Sequence, residues 1–150
     1  MSRKGSAWRI VLGLMFLAYT ALMLWLLFGQ RLDGGMTAEQ NWNWVPFNTL
    51  KVYIRIVMYT ENAALLRHAI INLGGNVIMF LPLGFFLAGI WRKQRNFFLC
   101  LLTCAVIIAA IEAVQYFTRL GSCDVDDFIL NLPGAMLGYG FQRLISRSRR

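Results

Sequence analysis

The stretch that decides the fold is Ile111–Gly138, IEAVQYFTRLGSCDVDDFILNLPGAMLG, in which two apolar runs flank a short acidic segment. The first run carries Glu112, Gln115 and Arg119, which are spaced three and four residues apart. The acidic segment and the second run contain six further polar or small residues: Asp124, Asp126, Asp127, Asn131, Gly134 and Gly138. Residues three or four apart share one face of an α-helix. The stretch therefore predicts two helices, joined by a turn, that present polar side chains to each other.

The composition indicates that these helices lie in a membrane. The chain of 150 residues is 58% hydrophobic and only 15% charged, whereas average soluble domains carry about 25% charged residues. Its apolar residues lie in blocks of about twenty, the length that spans a bilayer, rather than at amphipathic spacing. The sequence predicts one all-α membrane domain over residues 1–150, with four transmembrane helices at about residues 10–28, 69–91, 97–117 and 125–142.

The fourth predicted span has a short apolar run. Phe128–Phe141 would form roughly 21 Å of helix at ~1.5 Å per residue, whereas the hydrocarbon core is about 30 Å thick. We therefore expect the helix to begin near Asp124, or the turn before it to dip into the membrane. In either case, Asp126 and Asp127 should lie at or below the headgroup level, sheltered by protein.

A further helix is predicted in the external connection between the first two spans, residues 29–68. Within residues 47–59, FNTLKVYIRIVMY, polar and apolar side chains separate onto two helical faces: Asn48, Lys51 and Arg55 against Leu50, Ile54, Val57 and Met58. This pattern is typical of a helix that lies in the membrane–water interface. The alternative is a loosely packed loop with some β-character, because several of these residues are β-branched.

The basic residues predict the orientation of the chain. The N-terminus, the turn at residues 92–95 and the C-terminal tail together hold ten of the fifteen Lys and Arg residues and none of the seven acidic residues. With four spans these three segments share one side, and the positive-inside rule puts that side in the cytoplasm. The net charge of +8 is therefore a signal of topology, and no nucleic-acid partner is expected.

This orientation brings the polar residues of three spans together in the outer leaflet. The predicted ligand-binding set is Asn72, Asn76, Glu112, Gln115, Arg119, Asp124, Asp126, Asp127 and Asn131. Because a charge at the bilayer centre costs about 2.5–3.5 kcal/mol on insertion scales, ionisable residues there favour a functional pocket. Such a pocket could take a headgroup, a cation or a proton-transfer reaction. The alternative is a structural network in which Arg119 neutralises Glu112 or an aspartate.

Glycines on the second and fourth spans predict close contacts between helices. Gly74, Gly75 and Gly84 would let another backbone approach the second span closely. Gly134 and Gly138 form a GxxxG pair, a motif that also occurs in helix dimers. Here a packing contact with the second or third span is favoured over a dimer contact.

The ordered set of motifs resembles the VanZ family of small bacterial membrane proteins. The resemblance begins with Asn43-Trp44-Val45-Pro46-Phe47-x-Thr49 and continues with Asn72-x3-Asn76-x3-Phe80-x-Pro82-x-Gly84, Glu112-x2-Gln115, and Arg119 followed by Asp124-x-Asp126-Asp127-x3-Asn131-x2-Gly134-x3-Gly138-Tyr139. The match runs in order over about residues 43–139. The resemblance implies a multi-pass protein of the bacterial cytoplasmic membrane and a link to resistance against teicoplanin, a glycopeptide with an acyl tail.

Three classes of function are compatible with these features, and binding of an amphiphile is favoured. The ligand would be a lipid-linked envelope precursor or a lipoglycopeptide, with membrane lipids as further partners and no cofactor required. The second class is an intramembrane enzyme that acts on a lipid headgroup through Asp126, Asp127 or Glu112. Carboxylates could hold a divalent cation against a phosphate, but no Ser–His pair, His/Cys metal set or phosphate loop is present. A transporter or channel is the least favoured, because the polar residues lie in one leaflet.

Overall fold

The computed structural model describes residues 3–29, 43–118 and 124–148, and within these ranges the chain is all-helical. Five helices follow one another: α1, Arg3–Leu24; α2, Asn48–Tyr59; α3, Ala63–Ile90; α4, Phe97–Thr118; and α5, Val125–Ser148. Helix α1 continues as a π-helical turn over Trp25–Gly29, and a 3-10 turn over Lys93–Arg95 connects α3 to α4. In the described ranges the only β-pairing is an isolated bridge between Asn43 and Asp124.

Within the described part of the chain, three segments are long and apolar enough to cross a membrane: Ile10–Gly29, Ala63–Ile90 and Phe97–Thr118. Helix α3 begins earlier than the predicted start at residue 69, because the side chain of Asn62 accepts hydrogen bonds from two backbone N–H groups of its first turn.

Helix α5, which contains the predicted fourth span, is less apolar than the other three. The polar residues Asn131, Gln142 and Arg143 interrupt its apolar residues. Its crossing of the membrane therefore stays a prediction. The helix itself begins at Val125, and this start agrees with the expectation that the helix begins near Asp124.

Helix α5 packs closely along α3. The Cα of Gly134 faces the backbone of Val77, and four residues later Gly138 faces the backbone of Leu81. A β-carbon at either glycine would collide with that backbone, so only glycine permits this approach. Because the residue numbers of both partners rise together, α3 and α5 run parallel. The predicted packing of the GxxxG pair on the second span is confirmed.

The glycines of α3 differ from one another. At Gly84 an added β-carbon would collide with the backbone of Ala135, which confirms the predicted close approach. At Gly74 and Gly75, however, no described atom lies within 4 Å of an added β-carbon. Among the described residues the expected close backbone contact is therefore absent at these two positions, and Gly75 instead lines a cavity.

The core lies beside the second half of α3, away from the polar end of the molecule. Six of its residues are almost wholly buried: Phe80, Leu83, Cys100, Cys104, Ile108 and Ala135. Helix α1 runs antiparallel to α3 and is fixed there by the hydroxyl of Tyr19, which donates to the carbonyl of Met79 at 2.8 Å. The polar region lies at the other end of the bundle, where α3 and α5 begin and α4 ends.

Helix α2 lies against the bundle with one face and exposes another. Leu50 and Tyr53 are partly buried, whereas Ile54, Val57 and Met58 are exposed. The segment therefore forms the predicted helix and not the alternative loop. Its exposed apolar face suits a membrane interface, but its position in the interface stays a prediction.

Candidate functional site

The carboxylate of Asp124 joins the start of α5 to the segment before α2. Its Oδ1 accepts from the backbone N–H of Asp126 at 2.9 Å, in the manner of a helix N-cap. The same oxygen accepts from Nδ2 of Asn43 at 3.0 Å, and the hydroxyl of Thr49 donates to Oδ2 at 2.6 Å. A backbone hydrogen bond of 3.1 Å from Val125 to the carbonyl of Asn43 closes the contact. Asp124 thus stabilises two segments at once.

The carboxylate of Asp126 stabilises the first turn of α2. The side chain is 1% exposed. Its Oδ1 accepts from the backbone N–H of Phe47 at 2.5 Å and its Oδ2 accepts from that of Leu50 at 2.9 Å. The first N–H groups of a helix lack partners within the helix and carry a partial positive charge. The carboxylate supplies these N–H groups with acceptors and also places a negative charge beside them. Because both of its oxygens accept from backbone, Asp126 has a structural role that competes with the predicted catalytic one.

The turn that Asp126 stabilises has an unusual backbone conformation. Phe47 has a φ of 65°, in the left-handed region that bulky residues rarely adopt. Such a conformation costs on the order of 1–3 kcal/mol and persists only where surrounding contacts enforce it. The hydrogen bond from Phe47 to Asp126 is one of those contacts.

Asp127 connects α5 to α3. Nδ2 of Asn76 donates to its Oδ1 at 2.6 Å, so the structure brings together residues of the second and fourth predicted spans. Asn72 lies one turn before Asn76 on the same side of α3, and both line one cavity. Asn72 and Asn76 therefore both face this cavity, and Asn76 also contacts α5.

Glu112 is buried on α4 without a full set of hydrogen bonds. The residue is 9% exposed, and its Oε2 has no hydrogen-bond partner among the described residues. Its electrostatic neighbours include Asp127 and Asp124, which are also acidic. Gln115, one turn further along α4, is buried to the same extent. Because a buried polar atom without a partner is costly, such atoms in a native structure often mark a functional site.

Glu112 is one of the residues that line a cavity of about 390 Å³. Among the described residues the cavity is lined by Trp44, Ala109, Glu112, Ala113, Tyr116, Phe117, Asp124, Val125 and Phe128. Apart from the two acidic residues, the wall is formed mainly by apolar and aromatic side chains. Ligand pockets commonly combine such a wall with a few convergent polar groups.

A second cavity of about 630 Å³ lies between α1 and α3. Its described wall consists of Tyr19, Leu22, Met23, Leu26, Ile71, Asn72, Gly75, Asn76, Ile78, Met79 and Pro82. The predicted site residues are therefore divided: Asn72 and Asn76 line this cavity, whereas Glu112 and Asp124 line the first. The hydrogen bond between Asn76 and Asp127 connects the two regions.

Three remaining predictions concern Asn131, Arg119 and a divalent cation. Asn131 is 3% exposed, and its Oδ1 has no partner among the described residues. Arg119 lies outside the described residues. Within the described ranges no three His, Cys, Asp or Glu side chains are grouped so that they could hold a metal ion.

The structure adds residues to the site that spacing arguments missed. Asn43 and Thr49 bind Asp124 from more than seventy residues away along the chain. Tyr53 of α2 belongs to the same region: burial, and then the negative charges of Asp127 and Asp124, raise the pKa of its hydroxyl. The motif Asn43-x-x-Pro-Phe-x-Thr49 was the available signal for the first two residues.

One comparison with known proteins gives a match. The sequence model of a family described as VanZ/LLP1 matches residues 16–146. No curated protein and no solved structure matches the chain. The matched range includes both cavities and every residue of the predicted site.

Proposed function

The chain belongs to the VanZ family, and from this premise we propose that it is a membrane protein that binds an amphiphile in the cavity between α4 and α5. The ligand is a lipid-linked envelope precursor or a lipoglycopeptide. Its capture contributes to tolerance of the glycopeptide teicoplanin or to envelope homeostasis.

The observation that carries this proposal is the environment of Glu112. Its carboxylate has an oxygen without a partner among the described residues, and it lies in the wall of a mainly apolar cavity. A purely apolar ligand would leave that oxygen unsatisfied, and a purely polar ligand would leave the apolar wall uncovered. A molecule with an apolar body and a polar head matches both parts of the cavity.

The position of α5 beside α3 supports a fourth membrane span. The hydrogen bond between Asn76 and Asp127 lies near the start of α5, and Gly89 lies against the side chain of Gln142 towards its end. Helix α3 is long and apolar enough to cross a membrane. Because α5 accompanies it in parallel between these contacts, α5 crosses with it and keeps its buried polar residues within the protein.

The distribution of charge supports an outward-facing site in the bacterial plasma membrane. With four spans, the basic N-terminus, the 92–95 turn and the C-terminal tail share the cytoplasmic side. The end of α4 and the start of α5 then face outward, and the cavity with Glu112 opens near the outer leaflet. A ligand approaching from outside the cell reaches this end first.

A test of the function compares Glu112→Gln with Glu61→Gln in a strain that lacks the chromosomal copy. Glu61 is exposed between α2 and α3, so its substitution makes the same chemical change away from the cavity. We expect both variants to accumulate in the membrane, and only Glu112→Gln to lose teicoplanin tolerance or the envelope trait of the deletion strain. Full activity of Glu112→Gln at normal accumulation would contradict the proposal.

An intramembrane enzyme that acts on a lipid headgroup is the alternative. The hydrogen bonds of Asp126 to Phe47 and Leu50 leave Glu112 and Asp127 as the better acid–base candidates. Covalent conversion of a lipid-linked precursor by the purified protein, with or without Mg²⁺, would favour this alternative over binding alone.

A further inference from the structure

We infer that the head of the bound amphiphile is a protonated amine, which binds the carboxylate of Glu112. This inference rests on the proposed binding function and specifies the chemistry of the ligand. It is carried by three features of the cavity: an acceptor without a donor, an acidic surrounding and an aromatic wall.

Glu112 is the acidic residue of this wall that has an oxygen without a partner among the described residues. The other acidic residue in the wall, Asp124, already accepts from Asn43, Thr49 and the backbone of Asp126. Oε2 of Glu112 has no donor among the described residues. An ionised carboxylate only accepts hydrogen bonds, so a ligand that binds Glu112 in its ionised form must be a hydrogen-bond donor. An ammonium group supplies up to three donors.

The charge around the cavity selects against an anionic head. Glu112 and Asp124 are the charged residues among those described in the wall, and both are acidic. A phosphate or carboxylate head would be repelled by these acidic groups. A cationic head would neutralise part of their charge, and opposite charges attract more strongly in such a partly dry cavity than in water.

The aromatic side chains of the wall favour the same ligand. Trp44, Tyr116, Phe117 and Phe128 all line the cavity. The faces of aromatic rings attract cations, and aromatic cages are a recurring means of binding ammonium groups. Ala109 and Ala113 flank Glu112 on α4 and also line the cavity, so small side chains leave space next to the carboxylate. Together these residues form an apolar compartment with an anionic group in its wall.

The experiment uses three probes with the same twelve-carbon chain and different heads: dodecylamine, dodecanol and dodecyl phosphate. Binding to the full-length protein in a non-ionic detergent at pH 7 is measured by calorimetry, with protein-free detergent as the blank. We expect dodecylamine to bind about tenfold or more tightly than dodecyl phosphate, because ion pairing and cation–π attraction both favour the amine. Glu112→Gln should remove most of this preference, whereas Glu61→Gln should retain it.

The outcomes separate this inference from the proposed function. If dodecyl phosphate binds as tightly as dodecylamine, or if Glu112→Gln retains the preference, the inference is wrong although amphiphile binding remains. If none of the three probes binds saturably, both are wrong. A folding defect in Glu112→Gln would leave the wild-type comparison of the three probes as the deciding measurement.

A competition arm identifies the source of the amine. Displacement of dodecylamine by phosphatidylethanolamine would indicate a membrane lipid. Displacement by a lipid-linked peptide with a free lysine amine, and not by its acetylated form, would indicate an envelope precursor. Either result supports the inference, and equal displacement by the acetylated peptide would contradict it.

Discussion

Two groups of buried carboxylates lie close together in this protein, and they differ in whether their oxygens have partners. Asp124 and Asp126 accept hydrogen bonds on both oxygens from residues 43–50 and from the start of α5. Glu112 has one oxygen without a partner among the described residues. The same functional group therefore serves as a structural anchor in one place and as a candidate binding group in the other.

The difference shows that burial of a carboxylate does not by itself indicate function. Asp126 is more deeply buried than Glu112, yet its charge is matched by the N-terminus of α2. Breaking hydrogen bonds to a charged group is expensive, whereas replacing a group that lacks a partner costs little. Substitutions in the two groups should therefore separate stability from binding.

The largest effect is expected for Asp126→Ala. The backbone N–H groups of Phe47 and Leu50 would lose their acceptors, and each hydrogen bond to a charged group contributes about 1.5–3 kcal/mol. We expect the free energy of unfolding to fall by about 3 kcal/mol or more, measured as a lower thermal midpoint in detergent. An unchanged midpoint would show that other contacts stabilise the turn at Phe47.

A smaller effect is expected for Thr49→Val, which keeps the shape of the side chain. The hydroxyl of Thr49 donates to Asp124 and accepts from Asn43. Its removal should lower the free energy of unfolding by about 1.5–3 kcal/mol. Thr49→Ser retains the hydroxyl and serves as the matched control. No destabilisation by valine would contradict a role for these hydrogen bonds, and equal destabilisation by valine and serine would mean that the methyl group contributes as much as the hydroxyl.

The smallest effect on stability is expected for Glu112→Gln. The amide replaces an acidic group next to Asp127 and Asp124 and breaks no hydrogen bond of Oε2 with a described residue. We expect the thermal midpoint to stay the same or to rise. A loss of about 3–5 kcal/mol would instead indicate a broken buried ion pair. Arg119 would be its first candidate partner, and Glu112 would then belong with the structural carboxylates.

The sequence by itself determined the helices and most of the candidate residues. Apolar blocks of about twenty residues predicted the three helices that can cross a membrane, because a backbone in lipid must satisfy its hydrogen bonds internally. Spacings of three and four put Gly134 and Gly138 on one face of α5, where they contact α3. The ordered motifs identified the family from residues that are spread over the chain.

The presence of a glycine in the sequence of α3 did not predict whether another helix packs against it. Gly74 and Gly75 satisfied the same rule as Gly84, but among the described residues only Gly84 lies against the backbone of another helix. Small residues permit close approach and do not require it. Which glycine is used depends on where the neighbouring helix lies, and this is a property of the assembled bundle.

Only the tertiary structure decided which partners each carboxylate has. Asp124, Asp126 and Asp127 lie within four residues, and sequence spacing treated them as one acidic cluster. Their partners are distant: Asn43 and Thr49 for the first, the backbone of α2 for the second, and Asn76 for the third. Helical periodicity describes which residues share a face of one helix. It contains no information about which face of another helix lies opposite. The contacts that distinguish the structural carboxylates from the candidate binding group therefore form only when the helices pack.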